Sequence, residues 1–247
     1  MTGSFRTSGN KTHQRGQQSS EDGTTVAIDL VIFDCDGVLV DSEVISSRAH
    51  AAALTCHGYP ITPDQVLDRF LGMSDREARL SIEAEIGRKL PVDFEALMKR
   101  AELEHFARDL RPICHVDGAI DKIGLPKCVA SSGTPEKIRH GLTCAGLFDR
   151  LAPHIFSATQ VTRGKPAPDL FLFAAEQMQS PPGRCLVVED SVPGVTGARA
   201  AGMTVLGFHG GSHCRPGHDA SLRAAGAHGT FDDMRQLPVL LGQIAGN

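Results

Sequence analysis

Two aspartates one residue apart, Asp34 and Asp36, close a short apolar run and are followed at once by Gly37. The run Val31-Ile32-Phe33 reads as a strand buried on both faces. In an open α/β sheet ligands collect at the carboxyl ends of such strands. Asp34 is therefore expected at the sheet edge, with Gly37 turning the chain away where a side chain would obstruct it. Two carboxylates this close, with no lysine or arginine beside them, are costly unless a cation lies between them. Oxygen donors favour a hard ion such as Mg²⁺, which keeps water and takes substrate phosphate as further ligands. The bland reading of a lone Asp-x-Asp is a strand end followed by a solvated Asx turn. Three more groups farther along the chain weigh against it.

A second strand, Lys127 to Ser131, runs into Ser131-Ser132-Gly133, which places hydroxyls and backbone N–H groups just before a helix N-terminus. That is an anion-binding arrangement. A third strand, Arg184 to Asp190, ends in the acid pair Glu189-Asp190, and Lys165 stands between Gly164 and Pro166 ahead of a helix. Acid pair, hydroxyls, lysine and acid pair at one sheet edge suit phosphoryl transfer. A carboxylate nucleophile can take the phosphoryl group as an acyl phosphate and split hydrolysis into two easier steps. Because nucleophile and phosphate are both anionic, a lysine and Mg²⁺ are needed to offset their repulsion. A second carboxylate two residues on can protonate the leaving oxygen and then deprotonate the attacking water.

The elements that must hold these residues alternate. Ser42 is expected to cap a helix through Ala53 that ends near Gly58-Tyr59-Pro60. From Thr62 to Leu110 the pattern is helical. Ala78, Ile82, Ile86 and Leu90 recur every four residues, and beyond Pro91 Phe94, Leu97, Met98 and Ala101 form one apolar face. From Ile113 onward strands alternate with helices, with further strands at 155–157, 204–208 and 229–231, so a parallel sheet covered on both faces is expected. The predicted fold is a doubly wound, Rossmann-like α/β core over residues 26–43 and 112–247, with a helical insertion over 44–111. Residues 1–25 are rich in Gly, Ser, Thr and Gln and read as a disordered tail.

The whole chain narrows the function classes. Its 247 residues are 41% hydrophobic with a formal net charge of −4, one tyrosine and no tryptophan, so neither a nucleic-acid groove nor a base-stacking platform is indicated. Seven scattered cysteines without a Cys-x-x-Cys pair fit reduced thiols in a cytoplasmic protein. No apolar stretch reaches the length of a membrane span, and the N-terminus lacks the apolar core of a signal peptide. A small-molecule phosphate ester is the expected partner, with no nucleic acid and no membrane, and a monomer or weak dimer is the expected state.

The order Asp34-x-Asp36-Gly37, Ser131, Lys165, Glu189-Asp190 resembles the haloacid dehalogenase-like hydrolases, from about Ala27 into the C-terminal region. The helical insertion falls where that family carries its small α-helical cap. The resemblance implies that Asp34 is the nucleophile and Asp36 the general acid/base. It implies Mg²⁺ held by the Asp34 carboxylate, the Asp36 main-chain carbonyl and Asp190, with Glu189 a ligand or a supporting partner. Ser131, with Ser132 beside it, and Lys165 would bind the phosphoryl group. The stretch from Asp34 to Ala49 is similar to the sugar-phosphatase branch that includes β-phosphoglucomutases, and within it to bacterial 6-phosphogluconate phosphatases.

Rival readings turn on single positions. β-Phosphoglucomutases place a histidine five residues beyond the aspartate matching Asp41, where this chain has Ser46, and a basic residue before the cap glycine, where it has Leu71 ahead of Gly72. True dehalogenases lack the second aspartate. Phosphonate hydrolases need a cap lysine, and neither Lys89 nor Lys99 has a sequence neighbour that would lower its pKa. A phospho-accepting regulator of the receiver type would lack both Asp36 and the insertion. His50, one turn beyond Ser46, reads as structural. Arg48 and Arg79 read as solvated helix faces, whereas Arg69 and Arg76 flank Phe70-Leu71-Gly72-Met73-Ser74 and are the expected readers of a carboxylate on an acidic sugar phosphate. His209, His213 and His218 near Cys214 are spaced too irregularly for a zinc site and stay unassigned. Cys35, between the aspartates, should point into the core.

Overall fold

The computed structural model describes residues 1–3 and 27–246; the expected tail therefore lies, beyond its first three residues, outside the described ones. Strand β1 (Leu30–Phe33) is buried along its whole length. β2 (Lys127–Ser131) and β3 (Ile155–Ser157) lie to one side of it, and β4 (Cys185–Glu189), β5 (Thr204–Phe208) and β6 (Gly229–Phe231) to the other. All neighbours are parallel, in the order β3-β2-β1-β4-β5-β6. The chain runs outward from β1 on one side and then returns to pair β4 with β1. The crevice at such a reversal is where ligands collect in doubly wound sheets.

Strand alternation explains why these segments read as continuous apolar runs. Val31, Phe33, Val129, Leu186, Val188 and Leu206 feed one buried cluster, which α5 (Val116–Lys122), α6 (Pro135–Cys144) and α11 (Leu237–Ala245) cover. Leu30, Ile32, Cys128, Ala130, Val187 and Val205 feed the opposite one, under α8 (Asp169–Gln177) and α9 (Val192–Ala200). Two short helices, α7 (Phe148–Leu151) and α10 (His218–Ala224), lie in the connections that lead into β3 and β6. Cys35 joins the first cluster, as its position between the aspartates suggested.

Between β1 and β2, ahead of α5, come α1 (Glu43–Cys56), α2 (Pro63–Phe70), α3 (Asp75–Ile86) and α4 (Phe94–Asp109). They share their own apolar cluster, with Leu54, Ile61, Val66, Ile82, Leu90 and Phe94 buried in it. Capping boxes start two of them: Thr62 with Gln65 at α2, and Ser74 with Glu77 at α3. Three expectations change. Leu97 is exposed, because α4 turns Phe94, Glu102 and Phe106 inward instead. α1 extends to Cys56 rather than Ala53, and Ser42, though at its N-cap position, makes no capping hydrogen bond.

The turn between α2 and α3 sits on the sheet edge. Gly72 has φ +77°, its carbonyl accepts from Ser132 Oγ at 3.0 Å, and a Cβ there would overlap the Ser191 side chain. A glycine is what lets the insertion approach the core this closely.

Candidate active site

β1 delivers Asp34 to the crevice. Its backbone N–H donates to Val188 O at 3.0 Å, which continues the β1–β4 pairing one residue past the strand. The carboxylate is buried, and Oδ1 accepts from Lys165 Nζ at 2.7 Å. Lys165 is itself only 1% exposed and donates at 2.6 Å to Glu189 Oε1 at the end of β4. The other Glu189 oxygen, Oε2, accepts from the Ser191 N–H and hydroxyl, both at 2.9 Å. Both Glu189 oxygens thus have partners, and the lysine is fixed between two strand ends.

Asp190 is different. Oδ2 is buried and has no hydrogen-bond partner among the described residues. His213 Nε2 stands 3.0 Å away but outside hydrogen-bond geometry. A Cβ on Gly37, whose φ is +76°, would overlap this oxygen, so the glycine is required for the loop to pass over Asp190. An orphaned buried carboxylate oxygen is costly. Oxygens of Asp34, Glu189 and Asp190 all lie within 4.8 Å of one another. Burial pushes the Asp34 carboxyl well up, with Glu189 and Asp190 adding to the rise and Lys165 opposing it. Burial likewise raises Asp190, with Glu189 reinforcing it. Burial alone would pull the Lys165 ammonium down, but Asp34 and Glu189 outweigh it and hold the group above its ordinary value. A carboxylate set this crowded, with one lone pair unanswered, fits a hard divalent cation.

Asp36 faces the open side. Its Oδ1 accepts from Ser42 Oγ at 2.5 Å and lies 3.9 Å from Lys137 Nζ. Ser131, at the end of β2, is buried, and its Oγ accepts the Gly133 N–H at 3.1 Å, while Ser132 holds the Gly72 carbonyl. A cleft between insertion and core is lined by Asp34, Asp36, Ser131, Ser132, Gly133 and Lys137 on the core side. Glu43, Ser46, Ser47 and His50 of α1 line it from the other side, with Val66, Phe70 and Met73 above. It encloses about 660 Å³ of empty space, part of it open to solvent.

A family model described as haloacid dehalogenase-like hydrolase matches residues 28–202. The chain belongs to the haloacid dehalogenase-like hydrolases. The 6-phosphogluconate phosphatase of Escherichia coli K12 is 33% identical over 214 residues, 86% of this hydrolase and 94% of that protein. Hexitol phosphatase A of the same organism is 35% identical over 183 residues, 71% of this chain and 80% of that one. A crystal structure of a haloacid dehalogenase-like protein of unknown function from Agrobacterium tumefaciens superposes with a TM-score of 0.76. It is 40% identical and covers 89% of this chain and all of the other. With phosphatases as its curated relatives, this hydrolase is a phosphatase.

The structure brings Asp34, Asp36, Ser131, Ser132, Lys165, Glu189 and Asp190 to one crevice. It does not bring Arg69 or Arg76 there. Arg69 is tied to Glu85 and to the Tyr59 hydroxyl, and its guanidinium lies over Phe70. Arg76 is exposed and lines a separate groove with Glu77 and Arg163. Arg79 binds Glu83 and Glu95. Sequence reasoning missed four groups of this hydrolase's site: Glu43, Lys137, Glu102 and His213. Burial, with the charges of Asp36 and Asp190, pushes Glu43 up to about 8. Its place one residue after Ser42 is the one signal the sequence offers. Lys137, three residues past Thr134, which caps α6, and Glu102, one residue beyond the expected apolar face, offer none. His213 reads in the sequence as one of several loop histidines, yet it faces the carboxylate of Asp190.

Proposed function

We propose that this phosphatase hydrolyses a small phosphorylated sugar, sugar acid or polyol through a phosphoryl-aspartate at Asp34, with Mg²⁺. The observation that carries the reading is Lys165, buried and bridging the Asp34 and Glu189 carboxylates at 2.7 and 2.6 Å. A lysine so placed neutralises the nucleophile and stands ready for a phosphoryl oxygen. The names of the two Escherichia coli relatives, a 6-phosphogluconate phosphatase and a hexitol phosphatase, support a polyhydroxylated leaving group.

In this reading an Asp34 oxygen attacks phosphorus and the bond to the leaving oxygen breaks. Asp36 gives that oxygen a proton, so the alcohol departs neutral. A water then attacks the phosphoryl group, Asp36 takes its proton, and the Asp34 carboxylate and inorganic phosphate are regenerated. Ser131, Ser132 and the N–H groups after β2 orient the transferring oxygens, and Lys165 offsets their charge. Asp34, the Asp36 carbonyl and Asp190 are the ligands available to Mg²⁺. Both Glu189 oxygens already serve Lys165 and Ser191, so its part is to hold the lysine. The bound ion supplies charge neutralisation at the developing phosphoryl charge. The insertion over 44–111 acts as a cap that excludes bulk water from the first step.

The test is phosphate release from a panel of sugar, sugar-acid and polyol phosphates with Mg²⁺, with EDTA, and with Asp34→Asn. Release that EDTA stops and the variant abolishes, with its circular dichroism unchanged, is the expected result. Substantial turnover by Asp34→Asn would overturn the mechanism. Conversion of β-glucose 1-phosphate to glucose 6-phosphate without free phosphate would replace hydrolysis by a mutase reaction.

A further inference from the structure

The cleft beyond the phosphate end has an unusual electrostatic plan. Among the described residues lining it, Lys137 is the sole lysine or arginine. Its charge is already answered: Nζ lies 3.0 Å from Glu102 Oε1, on a carboxylate whose residue is only 2% exposed. Lys137 Nζ also lies over the Phe106 ring, 5.8 Å from its centre. The same Glu102 oxygen accepts from Ser46 Oγ at 2.5 Å and lies 3.7 Å from His50 Nε2. Glu102 therefore gathers Lys137, Ser46 and His50 of this half of the cleft onto itself.

The hydroxyls beside it are also oriented. Ser46 gives its proton to Glu102, and Ser47 donates to Val44 O at 3.0 Å. Each then presents only lone pairs to the cleft. Asp36 and Glu43 also line this wall, and neither brings positive charge in either protonation state. The serine lone pairs on this wall call for donors from the ligand. A hydroxyl is a donor, whereas a carboxylate or phosphate accepts only. Val66, Phe70 and Met73, which also line the cleft, suit the C–H face of a carbon chain.

We propose that Glu102 sets the charge selectivity of this cleft, so that the phosphate ester it accepts carries an uncharged polyhydroxylated chain and not a second anionic group. The inference rests on the phosphatase reading and narrows its substrate class. It departs from the expectation of a sugar acid read by Arg69 and Arg76, neither of which lines the cleft. Glu102 is a specificity-determining residue here. It acts through Lys137 and Ser46 and not on the reacting atoms.

The experiment compares kcat/KM for glucitol 6-phosphate and 6-phosphogluconate, which differ in a terminal CH₂OH against a carboxylate. The full chain should prefer the neutral ester by about tenfold or more, the scale of one unanswered charge in a partly desolvated site. Glu102→Gln keeps the shape but removes the nearer of the two carboxylates beside Lys137, the other being Asp36 at 3.9 Å, and should shrink that ratio by about tenfold, chiefly by improving the acid substrate. A purely structural role for Glu102 would lower both rates together and leave the ratio unchanged, which overturns the proposal. Equal or faster hydrolysis of 6-phosphogluconate by the wild type overturns it too, while leaving the phosphatase reading standing. Release of phosphate from neither ester, nor from any other in the panel, defeats both. If Glu102→Gln does not fold, product inhibition of the wild type decides. Inhibition by glucitol and not by gluconate supports the assignment, and stronger inhibition by gluconate refutes it.

Discussion

Ser42 gives its hydroxyl to Asp36 Oδ1 at 2.5 Å and leaves the α1 N-terminus without a side-chain cap. A good N-cap contributes on the order of 1 kcal/mol to a helix, so placing this fully buried serine on a carboxylate instead orients Asp36, the group proposed as general acid. Ser42→Ala should lower kcat by about tenfold, the scale of one hydrogen bond to a charged group, with little change in KM. Steady-state kinetics separates the two, since a mere loss of stability would alter the melting temperature and leave kcat per folded molecule intact.

Metal binding should be visible without turnover. Asp34 and Asp190 are both pushed upward by burial and by neighbouring carboxylates, and Asp190 Oδ2 has no hydrogen-bond partner among the described residues. A divalent cation that binds only the folded chain stabilises it by about 2.7 kcal/mol at a hundredfold excess over Kd. Thermal melts should rise with Mg²⁺ and fall back with EDTA. In Asp190→Asn the Mg²⁺-dependent rise should disappear while the metal-free melt holds steady or increases, because one crowded carboxylate has been removed. An undiminished Mg²⁺ response in that variant would place the ion elsewhere.

Lys165 tests how strongly the two strand ends depend on one buried charge. Replacing it by methionine preserves most of the stem but leaves Asp34 and Glu189 facing each other in the interior without a cation. Breaking a buried pair from one side costs about 3–5 kcal/mol, softened here by protonation of Asp34. Urea unfolding at neutral pH should show a loss of that order. Recovery of much of it in the double variant Lys165→Met/Asp34→Asn would tie the loss to the stranded carboxylate and not to packing.

The parts of this site that were legible in the sequence are those whose chemistry is local. Asp34, Ser131 and Glu189-Asp190 each terminate an apolar run, and a parallel sheet delivers all such ends to one edge, so order along the chain implies proximity in space. Glu102 and Lys137 carry no such signature. Their meaning depends on α4 packing against α6, which puts residues far apart in sequence 3.0 Å from each other. Arg69 failed as a substrate reader for the same reason in reverse: Tyr59 and Glu85, ten and sixteen residues away, claim its guanidinium. Leu97 looked like part of an apolar face, but α4 is rotated so that Glu102 and Phe106 point inward.

The insertion should show its own acid sensitivity through Glu83. Its carboxylate accepts from Lys89 Nζ at 2.7 Å, Arg79 Nε at 2.9 Å and the Leu90 N–H at 3.0 Å. These bonds, that from Lys89 foremost, hold its pKa down to about 2 against an ordinary 4.5. A carboxyl depressed by folding stabilises the native state above its unfolded pKa, and the contribution is lost as pH falls through the folded one. The window therefore runs from about pH 4.5 down to about pH 2. Glu83→Gln should melt below the wild type at pH 7, with the gap narrowing through that window and closing near its lower end. A gap of constant size from neutral pH to the bottom of that window would mean that Glu83 acts through shape alone, and that Arg79 and Lys89 contribute no charge-dependent stability to the turn between α3 and α4.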